Sequence, residues 1–127
     1  MKLLFLWLFF YIYQMNREDF RESIIALFET IDKYYGSKTE ITQGLFSELD
    51  NLDANLTAWN LSEFDLVRSA YRTSGDKFMF EGKGAYYEIS AERIIDFKQT
   101  GRNKFEFIEQ YSDTVFRITK LRFHYKY

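Results

Sequence analysis

The spacing of apolar residues changes once along the chain, near residue 75, from helical spacing to strict alternation. In the first regime Phe20, Ile24, Leu27, Phe28, Ile31 and Tyr35 recur every three or four residues and predict an amphipathic helix over 16–36. Asn16 can cap its start, Glu18 and Asp19 suit the first-turn dipole, and Gly36 supplies a left-handed stop. Ser37-Lys38-Thr39-Glu40 then matches a capping box. It predicts a second helix with Ile41, Leu45, Leu49 and Leu52 on one side, weakened at Gly44 by about 1 kcal/mol. Residues 55–61 read as a short strand or an extended connection. Ser62-Glu63-Phe64-Asp65 opens a third helical stretch with Phe64, Val67 and Tyr71 on one face, although an alternating strand fits the same residues.

Beyond Ser74-Gly75-Asp76 the period is two. Phe78 and Phe80 alternate with polar neighbours, and Gly82-Lys83-Gly84 turns the chain into Tyr87 and Ile89. Ser90-Ala91-Glu92 turns it into Ile95 and Phe97, and Thr100-Gly101-Arg102-Asn103 into Phe105 and Phe107. A last strand runs to Tyr127. In it Phe116 and Ile118 share one side while Leu121, Phe123, Tyr125 and Tyr127 share the other, which predicts a bulge near Thr119-Lys120. Connections this short demand antiparallel pairing. The predicted fold is α+β, with two or three N-terminal helices packed on a curved five- to six-stranded antiparallel meander sheet. The core would hold Phe78, Phe80, Tyr87, Ile89, Ile95, Phe97, Phe105, Phe107, Leu121 and Phe123.

A length of 127 residues fits one domain, placed at 16–127, and an aromatic content of 20% is far from that of a disordered chain. The absence of cysteine excludes disulfides and thiolate chemistry, and the single histidine, His124, makes a transition-metal site improbable. No catalytic residue, metal site or cofactor is predicted. The net charge of -2 gives no overall attraction to nucleic acid, but its distribution is uneven. Residues 1–66 carry 5 Lys+Arg against 11 Asp+Glu, and residues 67–127 carry 12 against 8, giving -6 and +4.

Leu3 to Tyr13 is an unbroken apolar run behind Lys2, the opening of a secretory signal, yet Ile12 to Asn16 offer no small residues for cleavage. From Met1 to Met15 a helix would span about 22 Å, against roughly 30 Å of bilayer hydrocarbon. The run is compatible with an uncleaved anchor or signal, an interfacial helix, a helix buried on its own domain, or a spurious extension ahead of translation from Met15. The first pair predicts a membrane-associated or exported protein, with membrane contact through Leu3 to Tyr13. The last predicts a cytoplasmic one.

The order helix, helix, short strand, helix and curled meander resembles the nuclear transport factor two-like (SnoaL-like) cone-fold superfamily. Asp113-Thr114-Val115-Phe116-Arg117-Ile118 followed by Lys120-Leu121-Arg122-Phe123 is similar to that superfamily's last strand, with Phe116 where Trp is usual and without the expected Gly. The resemblance would cover residues 16–127 and implies helices closing a cone-shaped pocket. Its members include small-molecule isomerases, dehydratases, ligand binders and protein-binding dimers, so it implies no single activity.

Lys120, Arg122, His124 and Lys126 form a basic stripe at period two and are the candidate binding residues. Sheets that bind nucleic acid place aromatic and basic side chains on one exposed face, whereas alternation here puts the aromatics opposite the stripe. Glu88 with Asp96, and Glu106 with Glu109, are candidate carboxylate pairs on neighbouring strands, though a solvated outer face is the commoner use of such residues. The sequons at Asn55 and Asn60 matter only in a eukaryotic secretory setting. The leading expectation is a non-catalytic binding protein for a protein partner or small apolar ligand, with a homodimer as one form. A small cone-fold enzyme acting on an apolar substrate comes second, and a nucleic-acid or anionic-surface binder third.

Overall fold

The computed structural model describes residues 20–47 and 58–124. Helix α1 covers residues 20–30 and passes into a 3-10 turn, Ile31–Tyr34. Seven strands follow: β1 Lys38–Phe46, β2 Ala58–Arg72, β3 Lys77–Gly82, β4 Ala85–Ser90, β5 Ile94–Gly101, β6 Lys104–Gln110 and β7 Phe116–Phe123. They form one antiparallel sheet in the order β4-β3-β2-β1-β7-β6-β5. The fold is therefore α+β, as the sequence predicts, but with one helix and seven strands among the described residues, and the predicted meander is broken between β4 and β5, which are consecutive in the chain but not neighbours in the sheet.

Because every adjacent pair is antiparallel, β4 and β5, at the two ends of the order, run in the same sense. Only the 3-10 turn Ala91–Arg93 joins them, far too short for a crossover between parallel neighbours. The chain instead turns a corner there and runs on from one edge of the sheet to the other. A second corner lies in the 15-residue β2, which pairs with β1 through its first half and with β3 through its second, the register shifting between Leu66 and Arg68. Bends and bulges of this kind let one strand serve two packed layers. Gly82 sits against the bulge because a Cβ there would lie 2.5 Å from the Phe64 ring and 2.8 Å from the Asp65 carbonyl oxygen.

The sheet so folded encloses one core. Leu66, Phe78, Phe80, Ile89, Ile94, Phe105, Phe107, Leu121 and Phe123 are buried inside it, and Ile24, Leu27, Ile31 and Tyr34 from the helix side join them. Burying each such side chain contributes about 1.5–3 kcal/mol. The helix ends where its last turn tightens: three residues per turn bring Tyr34, not the predicted Tyr35, onto the buried stripe. Tyr34 stacks on Phe123 with ring centroids 4.0 Å apart and donates to Asn103 Oδ1. Gly36, at φ +85°, turns the chain so that its N–H reaches the Leu66 carbonyl at the bulge.

Four expectations are corrected. Residues 38–46 of the predicted second helix form β1, and the described part of its apolar side does not hold: Ile41 is buried in the core while Leu45 is exposed. Residues 62–71 are strand, not helix. The bulge between Ile94 and Asp96 puts Ile94 in the core in place of Ile95. Strand β7 has no bulge, since its register with both β1 and β6 is continuous; Phe116 and Ile118 lie on the outer face and are buried there. Asn16, Leu49, Leu52, Asn55, Lys126 and the run Leu3 to Tyr13 lie outside the described residues.

Candidate functional site

A cavity of about 710 Å³ opens between α1, the β2–β3 hairpin and the β4–β5 corner. The helix contributes Phe20, Ile24, Ile25 and Phe28, the hairpin Tyr71 and Phe78, and the corner Ala91 and Ile94. Local structure explains the shape. Phe28 stacks on Phe78 at 4.6 Å and leans against Phe80 at 5.5 Å, which seats the helix over one end of the sheet. Gly75 and Asp76, both at positive φ, turn the hairpin back, and Ala91 N–H donates to the Asp76 carbonyl, fixing the corner beside it. Polar groups stand among the apolar ones: Arg21, Glu29, Ser69, Asp76 and Glu92. The Tyr71 hydroxyl donates a hydrogen bond to the Asp76 carboxylate. That bond, with some burial, holds the phenol above its usual range, while Arg21 pulls the other way.

A second polar constellation joins β4 to β6 and β7 on the inner side of the sheet. Glu109 is fully buried, and its side chain faces Arg117 across the β6–β7 ladder. Arg117 Nη2 and Nε reach Glu109 Oε1 at 2.6 and 2.8 Å, while Oε2 accepts from Tyr111 Oη at 2.8 Å and from the Ser90 N–H at 3.0 Å. Arg117 Nη2 also donates to the Glu88 carbonyl at 2.7 Å. Glu88 and Ser90 belong to β4, whose outer side has no strand partner among the described residues. The ion pair thus supplies a donor and an acceptor where a neighbouring strand would have done so. Tyr87 extends the network to Thr119 Oγ1 at 2.6 Å, and the Arg117 guanidinium lies 5.0 Å over its ring.

The electrostatics follow the geometry. Burial opposes the charge on Arg117, but Glu109, then Tyr87 and Tyr111, outweigh it and raise its pKa. Burial also raises Tyr87, partly offset by Thr119 and Arg117. Tyr111 is pushed from 10.0 to about 12, by burial first and then by its bond to Glu109. The folded state therefore holds the Tyr111 proton more tightly than the unfolded chain does. Its contribution to stability is complete below pH 10 and is lost as pH rises toward 12. Urea titrations of Tyr111→Phe and the unsubstituted chain should accordingly converge between pH 9 and 12, the gap being widest at the lower pH.

The basic stripe is brought together only in part. Lys120 and Arg122 project from the outer face and are exposed, as alternation predicts, with carboxylates beside them on the neighbouring strands. Arg122 lies 3.9 Å and His124 3.2 Å from Glu40, and Lys120 faces Glu106 across the ladder and lies 5.1 Å over the Trp59 ring. A hydrogen bond with Glu63, and the proximity of His124 and Arg122, hold Glu40 below the usual carboxylate range despite some burial. The proposed carboxylate pairs do not form. Glu88 and Asp96 sit on opposite ends of the strand order, Glu106 faces outward toward Lys98, and Glu109 faces inward.

No family model matches the chain, and no curated protein or solved structure matches it significantly. Of the elements that carry the resemblance to the cone-fold superfamily, the two predicted helices after α1 are strands wherever they are described. Among the described residues no helix is long and apolar enough to cross a membrane, and no group of side chains has metal-site geometry. The cavity escaped sequence reading because its wall comes from three separate parts of the chain. The sequence places Glu109 beside Glu106 on a solvated outer face, and the structure corrects this: Glu109 is in phase with Phe105 and Phe107 on the apolar side of β6, the one signal that marks it as buried.

Proposed function

We propose that the chain is a non-catalytic binding protein that holds a small apolar ligand between α1 and the folded sheet. The observation that carries this is the cavity itself, about 710 Å³ with a mostly apolar wall. Ligand sites run to roughly 300–1,000 Å³ and combine such walls with a few polar groups. The curl of the sheet matters here. A flat sheet would present its aromatic face to a protein partner or a second copy, whereas this one turns Phe78, Phe80, Phe105, Phe107 and Phe123 inward.

Chemical-shift mapping with decanol tests the proposal. Shifts confined to Phe20, Ile24, Phe28 and Phe78 are expected, and Ile25→Glu should weaken binding about tenfold. Ile25 is 45% exposed, so this change alters the cavity wall without opening the core. Shifts scattered over the surface, or none, would end the proposal.

An isomerase- or dehydratase-like enzyme is the second reading, favoured by the Tyr71–Asp76 pair in the cavity wall. The upward displacement of the Tyr71 pKa argues against it, because it makes the phenol a weaker acid near neutrality. Binding of nucleic acid or an anionic surface is third, since Glu40 and Glu106 interrupt the field of Lys120 and Arg122. We further propose membrane association or export through Leu3 to Tyr13; a cytoplasmic protein beginning at Met15, found by fractionation and N-terminal sequencing, would overturn that.

A further inference from the structure

From the charges around the cavity we infer that its ligand is a small organic cation, an amine or quaternary ammonium group on an apolar body. This rests on the ligand-binding function proposed above and adds the chemical class. Among the described residues four ionisable side chains of fixed sign line the cavity, Glu29, Asp76 and Glu92 being acidic and Arg21 basic, an excess of two negative. The bond from Tyr71 to Asp76 leaves that balance unchanged, because the phenol is neutral. A bound carboxylate would meet this excess as repulsion, and a bound cation would meet it as attraction.

The aromatic wall points the same way independently of the carboxylates. Phe20, Phe28, Tyr71 and Phe78 line the cavity. The faces of such rings carry negative electrostatic potential and attract ammonium groups, most effectively where water is excluded. Apolar rings would accept the body of any ligand, but together with the carboxylates they favour one whose polar end is positive.

Titration calorimetry on the full chain with decyltrimethylammonium, decanol and decanoate, each kept below its micelle concentration, tests this. The cation should bind about tenfold more tightly than decanoate, with decanol between them. Added salt should shrink the difference. Glu29→Gln with Glu92→Gln removes two of the three negative charges at exposed positions of the wall and keeps the size of each side chain. The preference for the cation should fall to about threefold or less. Equal affinities for the three probes, or tighter binding of decanoate, would overturn the cation assignment while keeping an apolar site. Failure of all three to bind would overturn the ligand-binding function itself.

Discussion

Glu109→Gln should destabilise the fold by about 3–5 kcal/mol, the usual consequence of removing one partner from a buried ion pair. The amide keeps the size of the carboxylate but not its charge. Arg117 would then be left with a charge largely out of water, its side chain being 18% exposed. The carboxylate accepts from the Arg117 guanidinium, the Tyr111 hydroxyl and the Ser90 N–H, and an amide must present its NH₂ to one of these donors. Typical domains have only about 5–15 kcal/mol of stability, so the effect should be plain in urea unfolding.

The double variant Glu109→Leu with Arg117→Met separates two roles for the pair. If it were merely a charged piece of core, apolar replacement would restore stability or raise it. Here the same side chains satisfy the Ser90 N–H and the Glu88 carbonyl on the side of β4 away from β3. Each group left without a partner costs about 1–3 kcal/mol. The double variant should therefore be more stable than Glu109→Gln yet remain about 2 kcal/mol or more below the unsubstituted chain. Full recovery would show that the pair does not seal the edge.

How far the sequence exposed this arrangement depended on how local each signal was. The α1 stripe and the hairpins after residue 75 rest on nearest-neighbour chemistry, and Gly36, Gly75 and Gly84 adopt the positive φ that their turns require. The β1 capping box misled because Thr39 and Ile41 are held in a strand by pairing with β2 on one side and β7 on the other. Strand β2 misled for a different reason. The register shift between Leu66 and Arg68 adds a residue, so the spacing of Phe64, Val67 and Tyr71 imitates a helix. Glu109 carried a signal, a charge in phase with Phe105 and Phe107, but pairing it with Glu106 on a solvated face overrode that signal, and its partner carried none. The start of β7 buries Phe116 and Ile118 outside, which hides that Arg117 faces in. The closure of β4 onto β6 and β7 depends on both corners at once, which no single stretch of the chain encodes.

Phe80→Ala should cost about 3–5 kcal/mol, as much as breaking the ion pair but by a different route. Phe80 is fully buried at the middle of β3, opposite Ser69 on β2 and Tyr87 on β4. Its ring is one of two against which Phe28 rests, the other being Phe78. Truncation leaves a hole beneath the helix that neither the strand backbone nor the stacked Phe28–Phe78 pair can close without breaking other contacts. Phe80→Leu keeps most of the volume and should cost about 1 kcal/mol. Urea midpoints of the two variants measure the difference directly. A loss below about 1 kcal/mol for alanine would mean that the helix side of the core collapses freely into the hole. That outcome would count equally against a preformed cavity, because Phe28 and Phe78, which Phe80 supports, are part of its wall.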